Sequence, residues 1–246
     1  MSSWLEGVDV SVYQGAISLA SWKALHASGQ RVAVVGSAHP RPNVYALQNL
    51  DNAKKAGFIL ATYLALYPGV TGGGTVQTAK NQCGPFWPQL TFVAVDCEVD
   101  GITEQQINDA IAAVKTEGKR PVIYTAYWWW HDHFGDNRNF NTYPLWNAYY
   151  DQNPDVDFAS LPYGGWPLEN VMGEQYSGTT ILAGTTVDRN SFKSEFFTQG
   201  DPNMEEIAKL KAQAKVAELF NQAAGYALRG IVMPDSLRSA LKYLLG

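Results

Sequence analysis

Thr91-Phe92-Val93-Ala94-Val95-Asp96-Cys97-Glu98 is a short apolar run that ends in two carboxylates. Its composition predicts a strand buried on both faces, as in a parallel sheet. Side chains alternate across a strand, so Asp96 and Glu98 fall on one side and Cys97 on the other. Two carboxylates at the mouth of a buried strand are costly to place there. Their repulsion raises the pKa of one of them, leaving a proton donor beside an anion. Acid-assisted cleavage of a glycosidic bond needs that equipment.

Around this run, strand and helix patterns alternate from Leu5 to about Phe134. Strands are predicted at residues 7–11, 32–37, 58–64, 91–98 and 121–125, and helices at 19–28, 44–56, 75–82, 104–117 and 127–133. Thr103 and Gln106 form a capping box for the fourth helix, and Gly118 stops it. Three further strands, at 145–150, 171–176 and 185–188, are separated by Gly/Pro/Asn-rich loops. Five βα units completed by three strands predict an α/β, TIM-like barrel. An open Rossmann-like sheet competes, but no Gly-rich phosphate fingerprint follows any strand. Gly72-Gly73-Gly74 lacks the Lys-Ser/Thr of a phosphate loop and is expected to be a mobile loop.

Gly200-Asp201-Pro202 marks a boundary between a barrel over residues 1–200 and a C-terminal helical segment over 201–246. Ile207, Leu210, Ala214 and Ala217 recur at helical spacing, and Leu237, Leu241, Leu244 and Leu245 follow Pro234-Asp235. Residues 203–246 are therefore expected to form a helical hairpin packed on the barrel. Self-association and wall targeting are the alternatives.

The chain of 246 residues is 46% hydrophobic and 17% charged, the balance of an ordinary globular core. A formal charge of −5 argues against nucleic acid and against electrostatic attraction to anionic membranes or wall polymers. Cys83 and Cys97 are expected to be buried free thiols. The N-terminus has neither a basic n-region nor an apolar h-region, so no signal peptide is expected and the product is expected to be made soluble in a cytoplasm. No run reaches the length of a transmembrane helix, so no membrane insertion is expected.

Functional residues of a parallel barrel sit at the C-terminal ends of its strands. Asp9 lies in the first strand, Asp96 and Glu98 end the fourth, and Asp188 ends the last. Closure gathers these four carboxylates at one mouth. His131-Asp132-His133 looks like a metal-ligand set, but adjacent ligands near a helix end diverge, and His26 and His39 are the other histidines. No metal is assigned. Trp128-Trp129-Trp130 cannot all be core, since successive helical residues point about 100° apart.

Gly7-Val8-Asp9-Val10-Ser11-Val12-Tyr13-Gln14-Gly15 resembles the opening motif of family 25 glycoside hydrolases, the lysozyme-like N-acetylmuramidases. Asp96-Cys97-Glu98 matches their Asp-x-Glu, and Leu145-Trp146-Asn147-Ala148-Tyr149-Tyr150 is similar to their Leu-Trp-x-Ala-x-Tyr strand. Gln175-Tyr176-Ser177 and Val187-Asp188-Arg189-Asn190 resemble their closing motifs. The resemblance covers roughly residues 5–195, and the family fold agrees with the organisation above. It implies that Glu98 is the general acid. Asp96 stays ionised and either orients the substrate's N-acetyl group or stabilises charge at the anomeric carbon. Asp9 and Asp188 hold the sugar. Tyr63, Tyr124 and Trp146 are cleft-lining candidates, with Trp146 equally readable as core. No cofactor is implied, and the partner is bacterial peptidoglycan.

Two positions depart from the family pattern. Tyr63 is followed by Leu64 where a His is usual, and Glu174 stands where a Trp precedes Gln-Tyr-Ser. Both are expected near the cleft. The leading reading is a hydrolase of the β-1,4 bond between N-acetylmuramic acid and N-acetylglucosamine, acting at the bacterial cell wall as a phage endolysin. A glycan-binding barrel without catalysis and a cation-dependent phosphodiesterase are the alternatives. Side chains two apart on a strand lie about 6.5–7 Å from each other at the backbone, which does not distinguish retention from inversion.

Overall fold

The structure is a computed structural model that describes residues 4–39, 41–135, 137–154 and 161–198. Its elements run β1 (Trp4–Val10), α1 (Leu19–Ala27), β2 (Val32–His39), the two-residue β3 (Arg41–Pro42), α2 (Ala46–Lys55), β4 (Ile59–Ala65), α3 (Gly72–Cys83), β5 (Val93–Asp96), α4 (Glu104–Thr116), β6 (Pro121–Ala126), α5 (Tyr127–Phe134), β7 (Leu145–Ala148), β8 (Val171–Leu182) and β9 (Thr185–Lys193). Parallel pairing starts at β1–β2 and continues through β4, β5, β6 and β7 to β8. Strand β9 is antiparallel to both β8 and β1 and closes the sheet. Among the described residues this is an eight-stranded barrel of five βα units and three closing strands, with β3 appended to the end of β2. Closure removes the open-sheet alternative.

The barrel interior is plugged by aromatic rings. Phe192 on β9 lies 5.7 Å from the Trp146 ring and 6.1 Å from Phe92. Its ring occupies the space that side chains would need on both neighbouring strands. A Cβ on Gly7 of β1 would lie 2.7 Å from the ring, and one on Gly173 of β8 would lie 2.4 Å from it. Cys83 and Cys97 are buried and free.

Three local expectations change. Strand β5 ends at Asp96 rather than Glu98, because the Glu98 N–H turns back onto Asp96 Oδ1 at 3.0 Å. The last two strands run on to Leu182 and Lys193 as a long hairpin. The outer arm of β8 reads as loop because it projects where no core needs an apolar face, with Ile181 exposed, whereas the missed end of β9, residues 189–193, is its inner part, paired with β1 and buried at Asn190, Ser191 and Phe192.

The Gly72-Gly73-Gly74 stretch is the first turn of α3, not a mobile loop. The Thr71 hydroxyl caps it by accepting the Gly74 N–H at 3.1 Å. Gly72 is there for close approach: a Cβ would stand 2.1 Å from the Gln106 carbonyl oxygen and 2.4 Å from the Ala110 nitrogen of α4.

The chain divides between Ser194 and Glu195, and the second unit contributes only the short helix Glu195–Thr198 to the described residues. The expected hairpin over 203–246 lies outside them. No described helix is long and apolar enough to cross a membrane.

Because the obstacle at Gly72 is helix backbone, Gly72→Ala is expected to destabilise the barrel by about 1–3 kcal/mol, read as a lower midpoint in urea unfolding at unchanged m-value.

Candidate active site

The C-terminal ends of the parallel strands open on one mouth, and the closing hairpin supplies its remaining wall. Asp9, near the end of β1, stands opposite Asp188 in the β1–β9 register. Asp9 is 5% exposed. Its Oδ2 accepts Gln175 Nε2 at 2.7 Å and Asn190 Nδ2 at 2.8 Å. Both amides are oriented by donors on their far side. The Trp146 indole, which can only donate, gives its N–H to Asn190 Oδ1 at 2.9 Å. The Tyr124 and Tyr150 hydroxyls donate to Gln175 Oε1 at 2.6 and 3.0 Å. A continuous hydrogen-bonded floor therefore runs from Trp146 through Asn190, Asp9 and Gln175 to Tyr124.

Asp96 and Glu98 stand beside this floor. Glu98 is contacted by the Tyr124 hydroxyl and the Ala126 backbone N–H, while its Oε1 is buried without a hydrogen-bond partner among the described residues. Burial, then the Asp96 charge, pushes the Glu98 carboxyl up to about 8. Burial raises Asp96 to about 7, opposed by the Glu98 N–H it accepts. Asp9 rises to about 8 through burial and the neighbouring Asp188, against the two amide donors. Asp188 is also raised by burial, and its Oδ1 accepts the Thr179 N–H. That donor is aimed by a register shift in β8, where Thr179 takes a positive φ of 49°.

Tyr63 projects inward from β4. Burial and the charges of Asp9, Asp96 and Asp188 hold its hydroxyl protonated well past the usual range, and Ser11 hydrogen-bonds it. Its ring lies over Gly36, where a Cβ would stand 2.5 Å from the ring carbon bearing the hydroxyl. Tyr124 packs on Trp146 with centroids 4.6 Å apart. Trp146 itself is 1% exposed, so it lies beneath the floor and reaches the mouth only through Asn190. From Asp188 a groove of about 790 Å³ leads outward between the β1–α1 connection and the β8–β9 hairpin, past Ser11, Tyr13, Gln14, Thr179 and Thr186.

Leu64 and Glu174 are not in the cleft. Both are fully buried, and each follows or precedes an inward residue, so each points to the outer face of its strand. Glu174 Oε2 accepts Asn147 Nδ2 at 2.9 Å, and Asn147 Oδ1 in turn faces the Tyr163 hydroxyl at 2.9 Å. The histidine pair is also accounted for: His131 stacks on Tyr127, while His133 meets the Trp129 carbonyl and Asp100. Of the three tryptophans, Trp129 and Trp130 are core and Trp128 is 56% exposed.

Gln175 and Asn190 went unassigned in the sequence reading, although alternation from Asp188 places Asn190 on the same inward face. Tyr163 carried no local signal. It comes from a loop, and burial and the Glu98 charge, in that order, raise its pKa.

Residues 8–185, well over half of the chain, match glycosyl hydrolases family 25. The probable GH family 25 lysozyme 3 of Dictyostelium discoideum is 31% identical over 119 residues, 48% of this chain but only 22% of that protein's length. Lysozyme M1 of Streptomyces globisporus is 30% identical over 210 residues, covering 78% of this chain and 68% of that protein. The crystal structure of the bacterial lysozyme from Streptomyces coelicolor superposes with a TM-score of 0.63 at 25% identity, over 78% of this chain and 93% of that one. With most of the barrel and Asp9, Asp96 and Glu98 inside the matched span, and Asp188 three residues beyond it, the chain belongs to glycosyl hydrolases family 25.

Proposed function

We propose that the protein is a lysozyme-type peptidoglycan hydrolase that cleaves the β-1,4 bond between N-acetylmuramic acid and N-acetylglucosamine, with Glu98 as general acid. The observation that carries this is the Asp96–Glu98 pair at the mouth, with Glu98 Oε1 buried and unpartnered among the described residues. Burial and the neighbouring Asp96 charge keep the Glu98 carboxyl protonated, so that it can give its proton to a leaving glycosidic oxygen. The Glu98 backbone N–H that Asp96 Oδ1 accepts favours the ionised form of Asp96, and the charge there favours a proton on Glu98. That anion faces the positive charge that develops at the anomeric carbon, or orients the N-acetyl group beside it.

Asp9 and Asp188 hold the sugar from the seam side, and the hydroxyls of Tyr63 and Tyr124 line the approach to the pair. Trp146 acts as a positioning residue, since it fixes Asn190 and through it Asp9. The groove beyond Asp188 suits a polymer, being open and rich in hydroxyl and amide groups. A cation-dependent phosphodiesterase with Asp96 and Glu98 as ligands fits less well, because the pair is surrounded by further carboxylates, tyrosines and amides rather than by the basic residues an anionic substrate favours. Release as a phage endolysin belongs to the same proposal. Its test is host-cell lysis on co-expression with a holin and none without it.

Incubated with purified cell walls, the protein is expected to generate borohydride-reducible muramic acid ends, read by mass spectrometry. Reduced glucosamine ends, or binding without products, would overturn the assignment. Glu98→Gln is expected to lower the rate by roughly 10²–10⁴-fold while keeping the fold.

The same carboxyl has a signature in stability. Its folded pKa of about 8 lies above the unfolded value near 4. The fold therefore retains a proton that the unfolded chain has released, and stability falls as pH rises between these values. Glu98→Gln is expected to melt at a higher temperature than the wild type at pH 8, with the difference vanishing near pH 4.

A further inference from the structure

Beside the catalytic mouth lies a second, smaller pocket of about 40 Å³ that the proposed chemistry does not use. Ala38 at the end of β2, Ala65 at the end of β4 and Val70 form its apolar wall, and Arg41 and Tyr67 stand at its polar edge. The two remaining lining groups are Thr75 and Thr78 of α3. Their hydroxyl protons go to the Thr71 and Gly74 carbonyls at 3.2 and 3.0 Å. Hydrogen-bond donation into the pocket from a charged group therefore falls to Arg41.

Arg41 is exposed and carries no ion pair among the described residues, yet its backbone is held in place. The β2–β3 return that carries it pairs Ala38 with Pro42. Just beyond, buried Asn43 donates from Nδ2 to the Gly36 carbonyl at 2.6 Å and accepts the Tyr45 N–H at 3.0 Å.

The pocket is one strand from the pair that does the chemistry. Ala65 is the register partner of Asp96, and the Leu66 N–H donates to the Asp96 carbonyl at 3.1 Å. Burial and then the nearby Asp96 charge raise the hydroxyl pKa of Tyr67, on its edge. In a chain of net charge −5 whose mouth holds four carboxylates, a cation beside a methyl-sized apolar recess is the reverse of the prevailing charge. It fits an anionic group next to a methyl.

Resting on the reading that the substrate is peptidoglycan, we propose that this pocket receives the three-carbon lactyl arm of the muramoyl sugar, with its methyl against Ala38, Ala65 and Val70 and a carboxylate on Arg41. That carboxylate is either the free lactyl group of peptide-free glycan or the nearest carboxylate of an attached stem peptide. A polymer of N-acetylglucosamine alone has neither. The pocket thus selects muramoyl glycan over a plain N-acetylglucosamine polymer, and supplies the local attraction that the overall charge denies to an anionic wall.

The test compares Glu98→Gln protein with the Arg41→Ala,Glu98→Gln double variant for binding to three tetrasaccharides by calorimetry. One is chitotetraose, one is the alternating muramoyl tetrasaccharide without peptide, and one is the same tetrasaccharide with stem peptides. Removing Arg41 is expected to weaken a muramoyl ligand by about fivefold or more and chitotetraose by less than about twofold, with Arg41→Lys retaining part of the affinity. Loss with the peptide-free ligand assigns the lactyl carboxylate; loss only with the peptide-bearing one assigns the stem. Equal loss on all three, or none, overturns the pocket's role. If the wild type cuts cell walls and Arg41 proves inert, this inference alone fails. If the wild type cuts nothing and the Glu98→Gln protein binds none of the three, the peptidoglycan reading fails and takes the pocket with it.

Discussion

Insertion of β9 between β8 and β1, antiparallel to both, is the constraint on which the rest depends. The seven parallel strands β1, β2 and β4 to β8 build only an open wall, whose two edges would be left with unpaired backbone groups. The β9 strand satisfies both edges at once. In doing so it brings Asp188 opposite Asp9 and Asn190 within reach of Asp9, and it drives Phe192 into the barrel. Gly7 and Gly173 flank that ring because neither neighbouring strand has room for a side chain there.

The seam also determines the electrostatics. Asp9, Asp96, Glu98 and Asp188 are gathered in a space that burial has largely dried, and all four are harder to ionise than in water. Asp9 and Asp188 receive N–H donors that offset part of the cost, and Asp96 receives the Glu98 backbone N–H. Glu98 Oε1 receives none. This crowding of carboxylates favours the protonated form of Glu98, beside the Asp96 charge. It also places the destabilisation at the functional mouth, while the closed apolar barrel below carries the stability.

The two halves of the barrel serve the mouth differently. The βα half presents rigid strand ends: Asp96 and Glu98 from β5, Tyr63 from β4, Tyr124 from β6. The hairpin half runs on into solvent, where its arms and a bulge at Thr179 form one bank of the groove. Leu64 and Glu174 illustrate how adjacent positions can differ in meaning. Each neighbours an inward residue of the site, yet each is buried on the outer face and takes no part in the cleft.

Five βα units, three closing strands and the acidic strand ends were legible in the sequence because each rests on local physics: apolar runs, helix caps, glycine stops and the two-residue period of a strand. The outer arm of β8 was not, because a strand that buries no face leaves no hydrophobic period, and neither was the inner end of β9, where the buried residues Asn190 and Ser191 are polar. Nor was the helical start at Gly72, where the need for glycine comes from α4 thirty-four residues onward. The sequence by itself determined that Asp9 and Asp96 lie near strand ends with Glu98 just beyond, whereas Asp188, expected to end the last strand, falls inside β9. Only the tertiary structure decided that Gln175, Asn190 and Trp146 form the floor beneath them, that Tyr163 stands by Glu98, and that Arg41 flanks a recess beside Asp96. Those relations join residues far apart in the chain, and burial and hydrogen-bond geometry exist only once the barrel has closed.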